Sequence, residues 1–294
     1  HSMHLPRTRT VGLPTAHFRA PFCRRADIDF VEVHAENYFA EGGASIAVLQ
    51  EAASLYPISL HGTGGGLASK MPIPHAHLRK LRHLIEITGA ALVSDHVSQT
   101  WFMQDGAVRH AGDLLPIAFN DASLGHVVSN VARVQDFLGR QILMENISQY
   151  LRFAQSDMPE LDFLVKACER TGCALLVDIN NLYVNALNAG EAQPESAVAH
   201  WLQQCPPYLV KELHLAGSTE AASGLVIDDH ARPVSAPVWR LYEQAIASFP
   251  RAATLIEWDE QLPTWGRLVE EAQHARRLIN QEAAYETARH TARA

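Results

Sequence analysis

Short apolar runs recur along the chain, and most gaps between them are long enough for one helix. The first two are TVGLPT (10–15) and FVEVHAEN (30–37). ISLHGT (58–63), ALVSDHVS (91–98), QILMENIS (141–148), ALLVDINN (174–181), VKELHLAG (210–217) and ATLIEWDE (253–260) complete a set of eight. Brief β-branched and apolar runs of this kind are strand signals. Between them apolar positions repeat with helical spacing, in SIAVLQEAASLY (45–56), HAHLRKLRHLIEITG (75–89), SLGHVVSNVARVQDFLG (123–139), ELDFLVKACERTG (160–172), ESAVAHWLQQC (195–205) and APVWRLYEQAIASF (236–249). Three of these stop at glycine (Gly89, Gly139, Gly172), the residue that best adopts the left-handed turn after a helix. Ser123 is the expected N-cap of the third helix. A last helix is expected from near Thr264, polar and frayed beyond Gln281.

Eight strands alternating with helices predict a (β/α)8 TIM barrel, with a doubly wound open sheet as the alternative. Residues 5–280 read as a single barrel domain, 281–294 as a polar helical tail, and 1–3 as a cloning remnant. The stretch 217–236 is the longest expected irregular loop. Composition narrows this further. The chain has 294 residues, 47% of them hydrophobic, enough for one large core. No run reaches the roughly 18 apolar residues of a membrane span, and no leader pattern opens the chain, so a cytoplasmic protein is expected. Cys23, Cys168, Cys173 and Cys205 form no C-x-x-C pair and are read as unpaired thiols. A net charge of −8 without a basic stripe disfavours a nucleic-acid partner. The 16 histidines are the unusual feature, because imidazole is the commonest side-chain metal ligand.

In a barrel of this type, chemistry is built at the C-terminal ends of the strands. Those ends carry His34, Glu36 and Asn37; His61; Asp95 and His96; Glu145 and Asn146; Asp178 and Asn181; Glu212 and His214; and Glu257 and Asp259. The loop after the seventh run adds Asp228 and His230. Period-two alternation puts Glu145 on the face of Leu143, Asp178 on that of Leu176, and Glu257 on that of Leu255. The three carboxylates therefore cap apolar layers and point at one centre. Glu212 is expected beneath His214 as its carboxylate support. Glu145, Asp178, Asp228 and Glu257 cannot all ionise at one mouth without compensation. With His61, His96, His214 and His230 they offer more ligand than one ion uses, which predicts at least two metal ions. Mixed imidazole and carboxylate without thiolate suits iron, manganese or zinc. The helix histidines His75, His77, His83, His126, His200, His274 and His290 are read as having no role in the site; Tyr150 and Tyr183 are candidates to line the cleft, with core packing the favoured reading.

The motifs EVHAENY (32–38), SLHGTG (59–64), SDH (94–96), LMENIS-Y-LRF (143–153), LVDINNLYV (176–184), ELHLAG (212–217), IDDH (227–230) and LIEWD (255–259) together resemble the UPF0276 (DUF692) family of multinuclear non-haem iron-dependent oxidative enzymes. The resemblance covers nearly the whole barrel. It implies a TIM barrel holding two or three iron ions, mixed Fe(II)/Fe(III), with His61, His96, Glu145, Asp178, Asn181, His214, Asp228, His230 and Glu257 as ligands and Glu145 as the bridge. His61, His96, Glu145, Asp178, His214 and Glu257 would also be the catalytic set. It implies oxidation, with dioxygen as co-substrate, of a cysteine in a ribosomally synthesised precursor peptide, delivered by a small partner protein. Glu36, Asn37, Asp95, Asn146, Arg152 and Glu212 are candidates for substrate contact or ligand support. One departure is GTGGGLASK after His61, where many relatives have a GVGLS-type run. The alternative function is a divalent-metal isomerase or hydrolase on the same barrel, of the xylose-isomerase or endonuclease-IV kind.

Overall fold

The computed structural model describes residues 11–14, 27–40 and 43–293; Cys23 and residues 1–10 lie outside them. Its strands, in chain order, are β1 (Val11–Pro14), β2 (Phe30–His34), β3 (Ile58–Gly62), β4 (Leu92–His96), β5 (Gln99–Gln104), β6 (Ala107–Leu115), β7 (Leu143–Glu145), β8 (Ala174–Asp178), β9 (Val210–Leu215), β10 (Thr219–Glu220), β11 (Val226–Ile227) and β12 (Ala253–Ile256). Eight of them close a barrel in the order β1-β12-β9-β8-β7-β4-β3-β2. Every barrel pairing is parallel. These are the eight apolar runs, so the fold is the expected TIM barrel.

Two hydrophobic layers result from the alternation of side chains. Val31, Val33, Leu60, Val93, Met144, Leu175, Val177, Leu213 and Ile256 face outward and pack under the helices. Phe30, Leu92, Leu143, Ala174, Leu176, Ala253 and Leu255 fill the inside of the barrel. Phe30 fits there because its neighbour on β1 is glycine: a Cβ on Gly12 would sit 2.6 Å from the ring. Further along the same inward faces, in steps of two residues, the apolar fill gives way to Glu32, Ser59, Ser94, Glu145, Asp178, Glu212 and His214, all buried. The barrel is thus plugged with hydrocarbon at its base and with titratable groups towards its C-terminal mouth.

The helices are α1 (Ala44–Leu55), α2 (His75–Thr88), α3 (Asp121–Leu138), α4 (Glu160–Thr171), α5 (Ile179–Asn188), α6 (Pro194–Gln204), α7 (Ala236–Ser248) and α8 (Trp265–Arg293). Gly89, Gly139 and Gly172 do end α2, α3 and α4 in left-handed conformations, with φ of 62°, 66° and 71°. The cap of α3 is Asn120 rather than Ser123: the Asn120 side chain accepts from the Ser123 amide. The barrel strands are shorter than their apolar runs, β7 most of all. Residues 35–38 form a 3-10 turn, β12 stops at Ile256, and β8 stops at Asp178 because α5 begins there. The helix α8 is continuous to Arg293.

The helix α5 and two hairpins were not foreseen. A β5–β6 hairpin follows β4, turning at Asp105–Gly106 with φ of 51° and 73°. Inside the expected irregular loop 217–236, β10 and β11 pair as a small hairpin. Both Asn188 amide groups bond the Val226 backbone and pin this hairpin to α5.

Candidate metal centre

The register of the barrel places the polar strand ends level with one another. His34 pairs with His61, His96 with Glu145, and Asp178 with His214 across neighbouring strands. Glu145, on β7, is the meeting point. Its Oε2 lies 3.1 Å from His61 Nε2 and 2.9 Å from His96 Nε2, and its Oε1 lies 3.6 Å from His214 Nδ1. His61, His96 and Glu145 form one group able to hold a metal ion; Glu145, Asp178, His214 and Glu257 form a second. Glu145 belongs to both, which is the placement a bridging carboxylate needs.

The outer residues are tied in from loops. His230 Nε2 lies 2.8 Å from Asp228 Oδ1, and its Nδ1 is 3.5 Å from Glu257 and 3.0 Å from Asp259. His230 holds φ at 47°, a conformation that a non-glycine residue adopts at a cost and that clusters at functional sites. Asn180, on α5, donates to Asp228 Oδ1 at 2.7 Å.

Orientation in the centre follows from hydrogen bonds behind it. Asn146 accepts from the Asp178 amide and donates to the Asp178 carbonyl, clamping that backbone. Asp178 Oδ1 accepts from the Asn181 amide as the N-cap of α5, and Asn181 Nδ2 donates to the Asn146 carbonyl. Asp178 Oδ2 and Asn181 Oδ1 are left buried and without a hydrogen bond, as are Glu145 Oε2, His214 Nε2 and His230 Nε2. The Gly62 carbonyl accepts only, so His96 Nδ1 donates to it and Nε2 is the nitrogen left facing Glu145. Buried lone pairs are costly to leave unused. Short separations without hydrogen-bond alignment are the pattern of donor atoms aimed at a common point. These side chains therefore fit bound metal ions.

Charge gives the same answer. Burial pushes the Glu145 carboxyl up, but the imidazoles of His96 and His61 outweigh it and hold the group well below the usual range. Burial and the carboxylates of Asp228, Glu145 and Glu257 push Asp178 well above its usual value. Burial disfavours charge on His96, yet Glu145 overcomes it and raises the ring to about 9. Protons thus hold the places that cations would take.

Other candidates fall elsewhere. Glu36 accepts from the Thr63 amide and hydroxyl and from the Gly64 amide; Asp95 accepts from the Gly65 amide. Together they brace the loop 62–66 that carries His96's acceptor. The glycines of GTGGG permit this, since a Cβ on Gly62 or Gly65 would overlap Asp95 Oδ2. His77 is not an idle helix position: it joins Glu36 and Asp95 in a group 3.7 Å from the Glu36 carboxylate. Asn37 is exposed on the 3-10 turn. Arg152 stands away from the cluster, lining a 580 Å³ groove with Gln149, Tyr150, Phe153 and Glu160. Tyr150 is 43% exposed, not core packing, and its hydroxyl accepts from the Asp228 amide. The sequence reading missed Glu32. Its carboxylate, 2% exposed, lies 3.3 Å from His214 Nε2, while Glu212 is further off at 3.9 Å. The available signal was its inward parity with His34 on β2.

The chain is similar to known proteins over nearly its whole length. A UPF0276 protein of Chromobacterium violaceum is 40% identical over 275 residues, covering 94% of this chain and 96% of that one. Another, from Anaeromyxobacter sp., is 38% identical over 265 residues, covering 90% of each. Among solved structures, endonuclease IV from Thermus thermophilus superposes with a TM-score of 0.60 at 12% identity, covering 93% of this chain and 100% of that one. D-psicose 3-epimerase gives 0.54 at 13% identity, covering 92% and 97%. At such identities these two share the fold alone. The profile described as "RiPP precursor modification enzyme MbnB/TglH/ChrH" matches residues 9–280, and the chain belongs to that family.

Proposed function

We propose that this chain is an iron-dependent oxidoreductase that uses dioxygen to modify a cysteine residue in a ribosomally synthesised precursor peptide. The family supports a peptide-modifying enzyme. The observation that carries the rest is a shared carboxylate, Glu145, standing between two buried ligand groups. His61, His96 and Glu145 would hold one iron; Glu145, Asp178, His214 and Glu257 a second; and Asn181, Asp228 and His230 complete the set for a second or third. Bound there, iron would supply one-electron redox chemistry and activation of dioxygen.

The chain's own residues have definable tasks. Glu145 keeps the two groups in register. His96, with Nδ1 committed to the Gly62 carbonyl, offers Nε2. Asn146 and the α5 cap hold Asp178 and Asn181 facing inward. The groove lined by Tyr150, whose hydroxyl accepts from the Asp228 amide, can receive the peptide, and Arg152 in its lining can meet an acidic side chain or a terminal carboxylate. A small partner protein that delivers the peptide belongs to the same proposal.

The test is metal content with Mössbauer and EPR spectra on anaerobically purified protein, followed by mass spectrometry of a candidate cysteine-containing precursor after exposure to oxygen. Two or three irons per chain and an oxygen-dependent mass change on cysteine are the expected results. Stoichiometric zinc or manganese, no iron under reducing conditions, and oxygen-independent turnover would replace the proposal with an isomerase or hydrolase.

A further inference from the structure

His61, His96 and His230 each turn one ring nitrogen to the carboxylates of the centre and give the other a hydrogen-bond partner behind, whereas His214 Nε2 is buried beside Glu32 without an aligned hydrogen bond. The partners differ. His61 Nδ1 meets the Ser94 hydroxyl at 2.7 Å, and His96 Nδ1 meets the Gly62 carbonyl at 2.8 Å. Both partners are neutral, and both rings offer Nε2 inward. His214 is turned the other way. Its Nδ1 faces Glu257 at 3.1 Å and Glu145 at 3.6 Å, while its Nε2 faces Glu32 Oε1 at 3.3 Å.

Glu32 is held in place for that contact, and with His61, His214 and Glu257 it also forms a further group able to hold a metal ion. It lies on the inner face of β2, one inward step below His34, and is 2% exposed. Its second oxygen accepts from the Ser59 hydroxyl at 2.9 Å on the neighbouring strand. Ser59 is directly opposite Glu32 in the parallel register, so the tether is set by the sheet itself. Both His214 and Glu32 are walled off from water, so the carboxylate acts on the ring without screening. His230 has a carboxylate partner as well, Asp259, but that group is 31% exposed and shared with His34.

We propose that Glu32 is the positioning residue of His214: it selects Nδ1 as the nitrogen that faces the centre and makes His214 a stronger donor than His61 or His96. A carboxylate behind a ligating imidazole fixes its tautomer and raises its donor strength. The centre is therefore electronically uneven. The position defined by Asp178, His214 and Glu257 binds its cation more tightly than the position defined by His61 and His96. On the iron reading proposed above, from which this consequence follows, it is also the position that favours the more oxidised ion.

Zinc, which is diamagnetic and does not need the iron reading, tests the core of the proposal. In zinc-loaded, 15N-histidine-labelled protein, two-bond nitrogen–proton correlations report which ring nitrogen carries the proton. One histidine is expected with the proton on Nε2 and metal on Nδ1, and its signals are expected to vanish in H214Q. In E32Q that pattern broadens or reverses, and the tighter step of a zinc titration weakens by about 10- to 100-fold. The same ions bind at saturation. Ser59→Ala keeps the carboxylate and removes its tether, so it supplies a milder, same-direction effect should E32Q fold poorly. Loss of one ion per chain in E32Q at saturating zinc would make Glu32 a ligand and overturn the proposal. Unchanged tautomer and affinity in both variants would overturn it too. If zinc behaves as stated but no iron is ever taken up, the positioning role stands and the iron reading falls.

Discussion

Glu145 and His96 decide how the metal-free protein behaves. His96 keeps its proton up to about pH 9 in the folded chain, against an ordinary value of 6.5, because Glu145 faces it. A raised histidine stabilises the fold fully below its unfolded value and loses that contribution as pH climbs through the folded one. The metal-free protein is therefore expected to lose stability between pH 6.5 and about 9 through this pair. A cation must displace the same proton, so zinc affinity is expected to rise with pH by about tenfold per unit for each proton displaced. Thermal melts with and without zinc, across that window, check both signs; a flat affinity profile would refute the proton competition. Replacing Glu145 by glutamine leaves His61 and His96 without their counter-charge. Elemental analysis is expected to show at least one ion lost per chain, with peptide modification abolished. At this scale the sequence was legible where residues stand at strand ends. Glu32 was hidden because it sits mid-run between Val31 and Val33, where alternation alone accounts for a polar residue.

Elements follow a similar logic. The barrel strands were readable because both of their faces are buried, which makes each run densely apolar. The β5–β6 hairpin was not, because it has little buried face to pattern it; Met103, Val108 and Leu115 are exposed. Its Asp105–Gly106 turn was the one usable sign. The start of α3 was misplaced by three residues, since Ser123 and Asn120 are both good caps and only the fold shows which side chain accepts. Asn120→Ala is expected to cost about 1 kcal/mol, roughly 2–4 °C in Tm, whereas Ser123→Ala costs a small fraction of that. At β1, Gly12→Ala drives a methyl into the Phe30 ring and is expected to cost about 1–3 kcal/mol by overpacking. Equal melting temperatures for G12A and the parent would mean that the barrel base is looser than its contacts imply.

For the whole molecule, the barrel and the proposed metal centre would act as one cooperative object. The inner carboxylates and imidazoles come from six different barrel strands, so cations that join them also join the sheet. Ligands that bind only the folded state add stability by mass action, about 2.7 kcal/mol at a hundredfold excess over Kd. Chelation is accordingly expected to lower Tm by several degrees, and re-addition of metal to restore it. A chelator-insensitive Tm in protein shown to contain metal would place the ions outside the barrel mouth. Among the described residues no helix is long and apolar enough to cross a membrane.

Asp178 ends β8, caps α5 through Oδ1 and turns Oδ2 towards the centre. A genetic screen would therefore misread this position. An alanine allele would abolish function for two unrelated reasons at once, a frayed helix and a missing ligand, and would look like the most important residue in the protein. Asparagine separates them, because it caps a helix as well as aspartate does while offering the centre no negative charge. The gap between the two alleles in soluble yield, set against their shared loss of activity, measures how much of the selection on this codon belongs to folding.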